Sequence, residues 1–351
     1  MLRCNIKTFA IAFLCMGIAF CAQAQRSVEE VTNANELLKA VKNANKAGGH
    51  ADILLADGEY AIRQRIIITA PHVTIRSKSG IRENVVLTGK GMEKRNDIEV
   101  IFDIKSKHVT LAGFTAQNVS NHIIQVRGGK DADNFTLRNC ILRDSYEQFL
   151  KVGQMRGKGD KGTADNALIE NCIIEYTASQ APNWYTGGID VHGSHGWVVK
   201  NNTFRNIASP GDKIAEHAIH FWDGTEDIKV INNVVVNSDR GIGFGLGNRD
   251  AERSNIGGLI EGNIIISNDK SHLFNDVAIG LESSPDTIVR NNTIFYTVDY
   301  PNAIEYRFSA TKDVVIENNN TNRAIKARNG GEAYTYTNRC LKQPAPGLFG
   351  A

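Results

Sequence analysis

Gly188-Ile-Asp-Val-His192, Ala218-Ile-His-Phe-Trp222 and Gly241-Ile-Gly-Phe-Gly245 are versions of one five-residue pattern, and reading them as one element decides the fold. The pattern returns as Ala278-Ile-Gly-Leu-Glu282, Ala303-Ile-Glu-Tyr-Arg307 and Ala324-Ile-Lys-Ala-Arg328. Fainter copies stand upstream at Ile123-Ile-Gln-Val-Arg127 and Phe149-Leu-Lys-Val-Gly153. The second and fourth residues of each copy are apolar, which is the alternation of a strand buried on one face. A strand that recurs at a near-constant interval predicts a solenoid whose coils cover one another.

A second series runs between the copies. Strand-like runs end in asparagine turns at Leu137-Arg-Asn-Cys140, Ile169-Glu-Asn-Cys172, Val199-Lys-Asn-Asn202 and Ile231-Asn-Asn233, and again through Ile260-Glu-Gly-Asn263, Val289-Arg-Asn-Asn292 and Ile316-Glu-Asn-Asn319. Aligning Asn139, Asn171, Asn202, Asn233, Asn263, Asn292 and Asn319 gives intervals of 32, 31, 31, 30, 29 and 27 residues. Asparagine suits a turn because it tolerates left-handed backbone and bonds locally, and stacked asparagines form a ladder. Leucine-rich repeats need regular leucines and helical repeats a 3.6 period; neither pattern is present.

The 351 residues divide into a leader, a cap and the solenoid. Residues 1–24 read as a secretory signal: Arg3 and Lys7, an apolar run from Phe9 to Phe20, then Ala22-Gln-Ala24 as the cleavage site. The apolar run is too short to span a membrane, so secretion or a periplasmic location is expected, without membrane insertion. Cys15 and Cys21 follow Leu14 and Phe20, where a lipid-attachment signal carries a small residue. Residues 25–49 form the cap, a helix with Leu37, Leu38, Val41 and Ala44 on one stripe, ended by Gly48-Gly49. Residues 50–351 are the β-domain. A net charge of +2 without a basic run excludes nucleic acid as the partner. Outside the leader remain Cys140, Cys172 and Cys340, too few for a disulfide scaffold. Cys140 and Cys172 occupy equivalent turns, at a spacing that admits either stacked thiols or a disulfide.

If the apolar residues point inward, the intervening ones form two outward columns. The first is Gln125, Lys151, Asp190, His220, Gly243, Gly280, Glu305, Lys326; the second is Arg127, Gly153, His192, Trp222, Gly245, Glu282, Arg307, Arg328. In-register stacking puts neighbours in a column about 4.8 Å apart. Asp190, His192, His220 and Trp222 then form one patch. Gly243, Gly245 and Gly280 form a bare floor, and Glu282, Glu305 and Arg307 a far wall. The longest loops, with Trp184 and Tyr185, enter the same strand. This reads as a cleft for an acidic polysaccharide or oligosaccharide.

Eliminative cleavage of a uronate needs a group to neutralise the carboxylate, a base for the C5 proton and an acid for the leaving oxygen. Arg240 and Arg307 are the candidate neutralisers, His220 or His192 the base, and Tyr185 or Lys151 the acid or alternate base. Asp190, Trp222, Trp184, Gly243, Glu282, Glu305 and Arg307 are the expected substrate contacts. Hydrolysis would need a carboxylate pair instead, Asp190 with Glu282 or Glu305. Glu216-His-Ala-Ile-His220 suggests a metal, but its histidines are three apart and face opposite sides of a strand unless a bend intervenes. No metal ligands are therefore assigned, and Ca²⁺ is kept as a candidate ion because Asp190, Glu216, Asp239 and Glu282 are available.

The period and the asparagine turns together resemble the right-handed parallel β-helix of the pectin lyase-like superfamily, over roughly residues 50 to 340. That resemblance implies an all-β right-handed parallel β-helix with the helix as its N-terminal cap. It leaves the reaction open, because the same fold hosts lyases, hydrolases, epimerases and non-catalytic adhesins or tailspikes. Ala56-Asp-Gly-Glu-Tyr60, Val73-Thr-Ile-Arg76 and Leu87-Thr-Gly89 are similar to the start of the alginate lyase and chondroitinase B lyase family. That family implies Ca²⁺-assisted elimination by a lysine and an arginine. Its acidic calcium triplet and catalytic lysine are not placed on this sequence, where Asp223 stands roughly at the position expected for the lysine, so its catalytic residues are not carried over. The resemblance thus implies the substrate class, alginate first, more than the mechanism.

Overall fold

The computed structural model describes residues 26–94, 98–153, 162–211 and 213–342. The proposed leader, the middle of the 155–165 loop and the tail after Lys342 lie outside them. Three parallel sheets of 12, 10 and 11 strands run the length of the molecule, each strand pairing with its equivalent one coil away. The chain is a parallel β-helix, right-handed as parallel crossovers are. The recurring pattern forms the 10-stranded sheet, from Ile66–Ile68 to Ala324–Arg328. Its inward residues Ile189, Val191, Ile219, Phe221, Ile242, Phe244, Ile279, Leu281 and Ile304 are fully buried in one continuous core.

The helix Ala34–Lys46 closes the first coil. Asn33 caps it, its Oδ1 accepting from Asn35 N at 3.1 Å and Glu36 N at 3.0 Å, while Glu36 reaches back to Thr32 N at 2.8 Å. Leu37, Ala40, Val41 and Ala44 are buried, and Leu38 packs at the edge. The solenoid starts before this helix, however. Ser27–Val31 pairs in register with Ala51–Leu55 as the first strand of the 12-stranded sheet. Its pattern was hard to read because it is an edge strand, exposed at Ser27, Val28 and Glu30.

The asparagine series is two columns, and the sequence alignment merged them. Asn202, Asn233, Asn263, Asn292, Asn319 and Asn338 are the ladder. Each donates Nδ2 to the next Oδ1 at 2.9–3.0 Å, and the intervals are 31, 30, 29, 27 and 19 residues. The ladder continues upstream as Cys140 and Cys172, whose thiols are free and buried. Cys172 N donates to Asn202 Oδ1 at 2.9 Å. Asn139 and Asn171 belong one residue earlier, to a left-handed column with Asn201, Asn232, Asn291 and Asn318, at φ between 52° and 58°. Each turn thus needs one residue for backbone conformation and the next for side-chain bonding.

At the far end the strand Ala324–Arg328 is exposed at four of five residues. It borders a concavity of about 780 Å³ lined by Pro301, Arg323, Ile325, Tyr336 and Arg339, the end surface on which another coil would stack.

Candidate functional site

The first outward column pairs throughout, and the second pairs in segments, with no ladder pairing between Gly153 and His192 or between Trp222 and Gly245. Lys151 pairs with Asp190, Asp190 with His220, His220 with Gly243, Gly243 with Gly280 and Gly280 with Glu305. His192 pairs with Trp222, Gly245 with Glu282 and Glu282 with Arg307.

Asp190 is the hub of the first half. It is buried and ion-paired with Lys151 Nζ, and it accepts from Trp222 Nε1 at 2.8 Å. His192 Nε2 lies 3.6 Å and His220 Nδ1 3.7 Å from its Oδ1. Burial opposes its charge, but the Lys151 ammonium outweighs burial and holds the carboxyl well below the usual carboxylate range. Burial likewise opposes the charge on Lys151, and Asp190, then Tyr185, keep it above its ordinary value. Lys151 Nζ also donates to His192 Nε2 at 3.2 Å, so that nitrogen carries a lone pair. Lys151 and His192 keep 12% and 17% of their side chains exposed. Tyr185 and Trp184 stand over them at 38% and 40% exposure, edge to face at 5.6 Å, with Lys213 over the Trp184 ring.

Four expected contacts are placed differently. His220 is 1% exposed, its Nε2–H donates to Gly245 O at 3.0 Å, and its Nδ1 faces Glu216 Oε2 at 3.3 Å. Burial works against its protonation, but Glu216 and Asp190 raise its pKa above the usual imidazole value. It is an interior group and does not reach a substrate as a base. Trp222 lies between His192 at 4.2 Å and the Arg249 guanidinium at 4.8 Å, so it props the patch instead of offering a stacking face. Gly243 is not bare: the His217 ring lies over it, and a Cβ there would stand 2.6 Å from that ring. Glu305 is fully buried, held by Tyr300 at 2.9 Å, Asn302 at 2.6 Å, Arg307 at 2.6 Å and Arg328 at 2.9 Å.

In the far wall, Arg307 bonds Glu305, Glu282 and Asp276, so its guanidinium is committed to protein carboxylates. Glu282 also accepts from Gly247 N at 2.5 Å. Arg240 binds Asp276 through Nε at 3.2 Å and is the better-placed cation for a ligand. Asp276 and Arg249 were not singled out in the sequence, and His217 was considered only as a metal ligand. His217 has the parity of an inward residue. In the small column Gly188, Ala218 and Gly241, a Cβ on either glycine would stand 2.2 Å from the next coil's carbonyl. Glu216, His217 and His220 come together, which strict alternation argued against, with ligand atoms within 4.8 Å of one another.

Ca²⁺ takes about six to eight oxygens, and the carboxylates considered for it do not converge. Asp190 is engaged by Lys151 and Trp222, and Glu282 by Arg307. Asp239 accepts from Ser209 N and Ala215 N, and burial pushes its carboxyl up to about 6. Only Glu216 of the four belongs to a cluster, and its companions are imidazoles. The residues do not fit calcium.

The family described as "Right handed beta helix region" matches residues 187–341. No curated protein sequence matches the chain. Among solved structures it is similar to an alginate lyase from Paenibacillus sp. str. FPU-7, with TM-score 0.61 and 18% identity, over 87% of this chain and 98% of that one. It is similar to a mannuronic acid specific polysaccharide family 6 lyase enzyme from human gut microbiota, with TM-score 0.57 and 12% identity, over 90% and 79% of the two chains. It is also similar to a tailspike protein of an E. coli bacteriophage in complex with hexasaccharide, with TM-score 0.58 and 12% identity, over 87% and 61%. At these identities the likeness is one of fold.

Proposed function

We propose that the protein is a secreted or periplasmic polysaccharide lyase that cleaves a uronic-acid-containing glycan by β-elimination, with alginate the first substrate to test. One observation carries this reading: Lys151, Asp190 and His192 meet on the outer face of the sheet beside Tyr185, so a fixed cation, an unprotonated imidazole nitrogen and a phenol stand together at a partly open surface. Lys151 neutralises the uronate carboxylate, which lowers the barrier to removing the C5 proton. His192 Nε2, released from Lys151 as the substrate carboxylate takes over that ammonium, accepts the proton. Tyr185 donates to the leaving oxygen. Arg240 supplies a second positive charge, and Trp184 offers its exposed face to a sugar ring. His220 holds Asp190 and the floor in place and is a positioning residue.

Distance disfavours the hydrolytic pairs expected from the sequence, Asp190 with Glu282 or Glu305. Four strand spacings separate Asp190 from Glu305, about 19 Å, and three separate the His192 position from Glu282, about 14 Å. Paired carboxylates of glycosidases stand about 5–9.5 Å apart. The glycan partner is further supported by the similar structures, whose names are those of two lyases of uronate glycans and a tailspike holding a hexasaccharide.

The test is incubation of purified protein with alginate, pectate and glycosaminoglycans, following the absorbance of unsaturated products. Turnover that Lys151→Ala and His192→Ala each reduce by about 10²–10⁴ supports the reading. New reducing ends without that absorbance would indicate a hydrolase. Binding without either, unchanged in His192→Ala, would indicate a non-catalytic glycan-binding module.

A further inference from the structure

The cluster beneath the groove touches no substrate in that chemistry, and its polar atoms are unusually placed. Glu216 Oε2, His217 Nδ1 and His220 Nδ1 are buried and without a hydrogen-bond partner. Oε2 and the His220 Nδ1 face each other at 3.3 Å, outside hydrogen-bond geometry. Buried polar atoms are nearly always satisfied, so three converging exceptions call for a ligand. The tautomer of His220 is fixed: Nε2 must carry the proton it donates to Gly245 O, which leaves Nδ1 as a lone pair in the neutral ring. An imidazole that gives its far N–H to a backbone carbonyl and turns a bare nitrogen inward is the arrangement of a metal-ligating histidine. The His217 ring is likewise fixed, with its Nε2 edge over Gly243 and its plane tilted 38° to that of His220 at 4.7 Å.

We propose that Glu216, His217 and His220 form a binding site for one divalent transition-metal ion of the zinc class. One carboxylate with two imidazoles is a nitrogen-rich set, suited to Zn²⁺, Co²⁺ or Ni²⁺ and not to Ca²⁺. Four-coordinate zinc with ligands at about 2.0–2.1 Å sets its ligand atoms about 3.3 Å apart. The Glu216–His220 pair already has that separation, and the whole set lies within 4.8 Å. Asp190, whose Oδ1 is 3.7 Å from His220 Nδ1, borders the site on the groove side. The ion would tie Glu216 to the strand His217–Trp222 beneath the groove. This proposal is independent of the glycan reading.

The experiment uses tag-free full chain stripped with chelator and titrated with Zn²⁺, Co²⁺ and Ca²⁺ by calorimetry and visible absorption. The expected result is one equivalent of Zn²⁺ per chain, the intense visible bands of four-coordinate Co²⁺ and no displacement of either ion by excess Ca²⁺. His217→Gln and Glu216→Gln should each weaken Zn²⁺ binding at least about 100-fold, while metal-free melting of each variant stays that of the stripped wild type. The proposal is overturned if the wild-type chain takes up no stoichiometric Zn²⁺, if both variants bind as the wild type does, or if Co²⁺ gives only weak six-coordinate bands. The cobalt spectrum of the wild type decides the matter even where a variant does not fold.

Discussion

Gly243→Ala isolates the contact that the sequence concealed. A Cβ on Gly243 would stand 2.6 Å from His217 Cε1 and Nε2 and 2.7 Å from Cδ2. Ordinary carbon contacts begin near 3.5 Å, so the ring must retreat by about 0.8 Å. It cannot do so freely, because it is buried and packed at 4.7 Å from the ring of His220. Gly243 is not among the positive-φ glycines, so the substitution brings no backbone strain. Overpacking of this kind costs about 1–3 kcal/mol. Reduced freedom of the unfolded chain offsets it by about 0.4–1 kcal/mol. A net loss of about 1.3 kcal/mol corresponds to a drop of about 2 °C in Tm for a chain with roughly 300 ordered residues. Gly280→Ala is the control: its Cβ would meet Val277 Cγ1 at 3.2 Å and His217 Nε2 at 3.7 Å, a smaller intrusion, and its cost should stay below about 1 kcal/mol. The assay is thermal and denaturant unfolding of both variants, in the wild-type and His217→Ala backgrounds. With the ring removed, Gly243→Ala should become neutral or slightly stabilising, a coupling of at least about 1 kcal/mol. Equal losses in both backgrounds, or a wild-type melt for Gly243→Ala, would refute the reasoning.

Asn233→Ala should cost about 3 kcal/mol, since it leaves Asn202 N without its partner, removes the bond to Val199 O and takes one of two acceptors from Asn202 Nδ2, which keeps Ile169 O. Asn139→Ala, in the left-handed column at φ 52°, should cost only about 1–2 kcal/mol; urea midpoints compare the two. Burial pushes His122 down to about 4 against the pull of its bond to Gln148 O. Because the folded state prefers the neutral ring, that stability is complete above pH 6.5 and is lost as pH falls through about 4, by about 3 kcal/mol. Glu147, 3.7 Å from Nε2, is itself pushed up by burial. His122→Asn should therefore flatten the fall in Tm between pH 7 and pH 4, and an unchanged slope rejects this assignment. For the proposed elimination, Tyr185→Phe should lower kcat by about 10²-fold or more with KM little changed, whereas Trp184→Ala should act mainly on KM; steady-state kinetics separate the two.

The fold was legible because it rests on local burial. Period-2 alternation marked the recurring strand, its return marked the coil, and every pairing expected along the first column from Lys151 to Glu305 formed. The asparagine series was legible as a series but not as two columns, because left-handed backbone and buried amide ladder both favour asparagine and sit one residue apart. The strand Ser27–Val31 was missed because half of an edge strand faces water.

Sequence alone determined which residues share the groove face: Lys151, Asp190, His192, His220 and Trp222 were placed together from register. Only the tertiary structure decided which of them stays accessible. His220 is covered by its bond to Gly245 and by the Glu216 side chain facing it, Trp222 is flanked by His192 and Arg249, Arg307 is held by three carboxylates, and Gly243 lies under His217. The physical reason is that alternation fixes the side a residue faces. What then covers its polar atoms depends on residues one to three coils away, which period 2 does not encode.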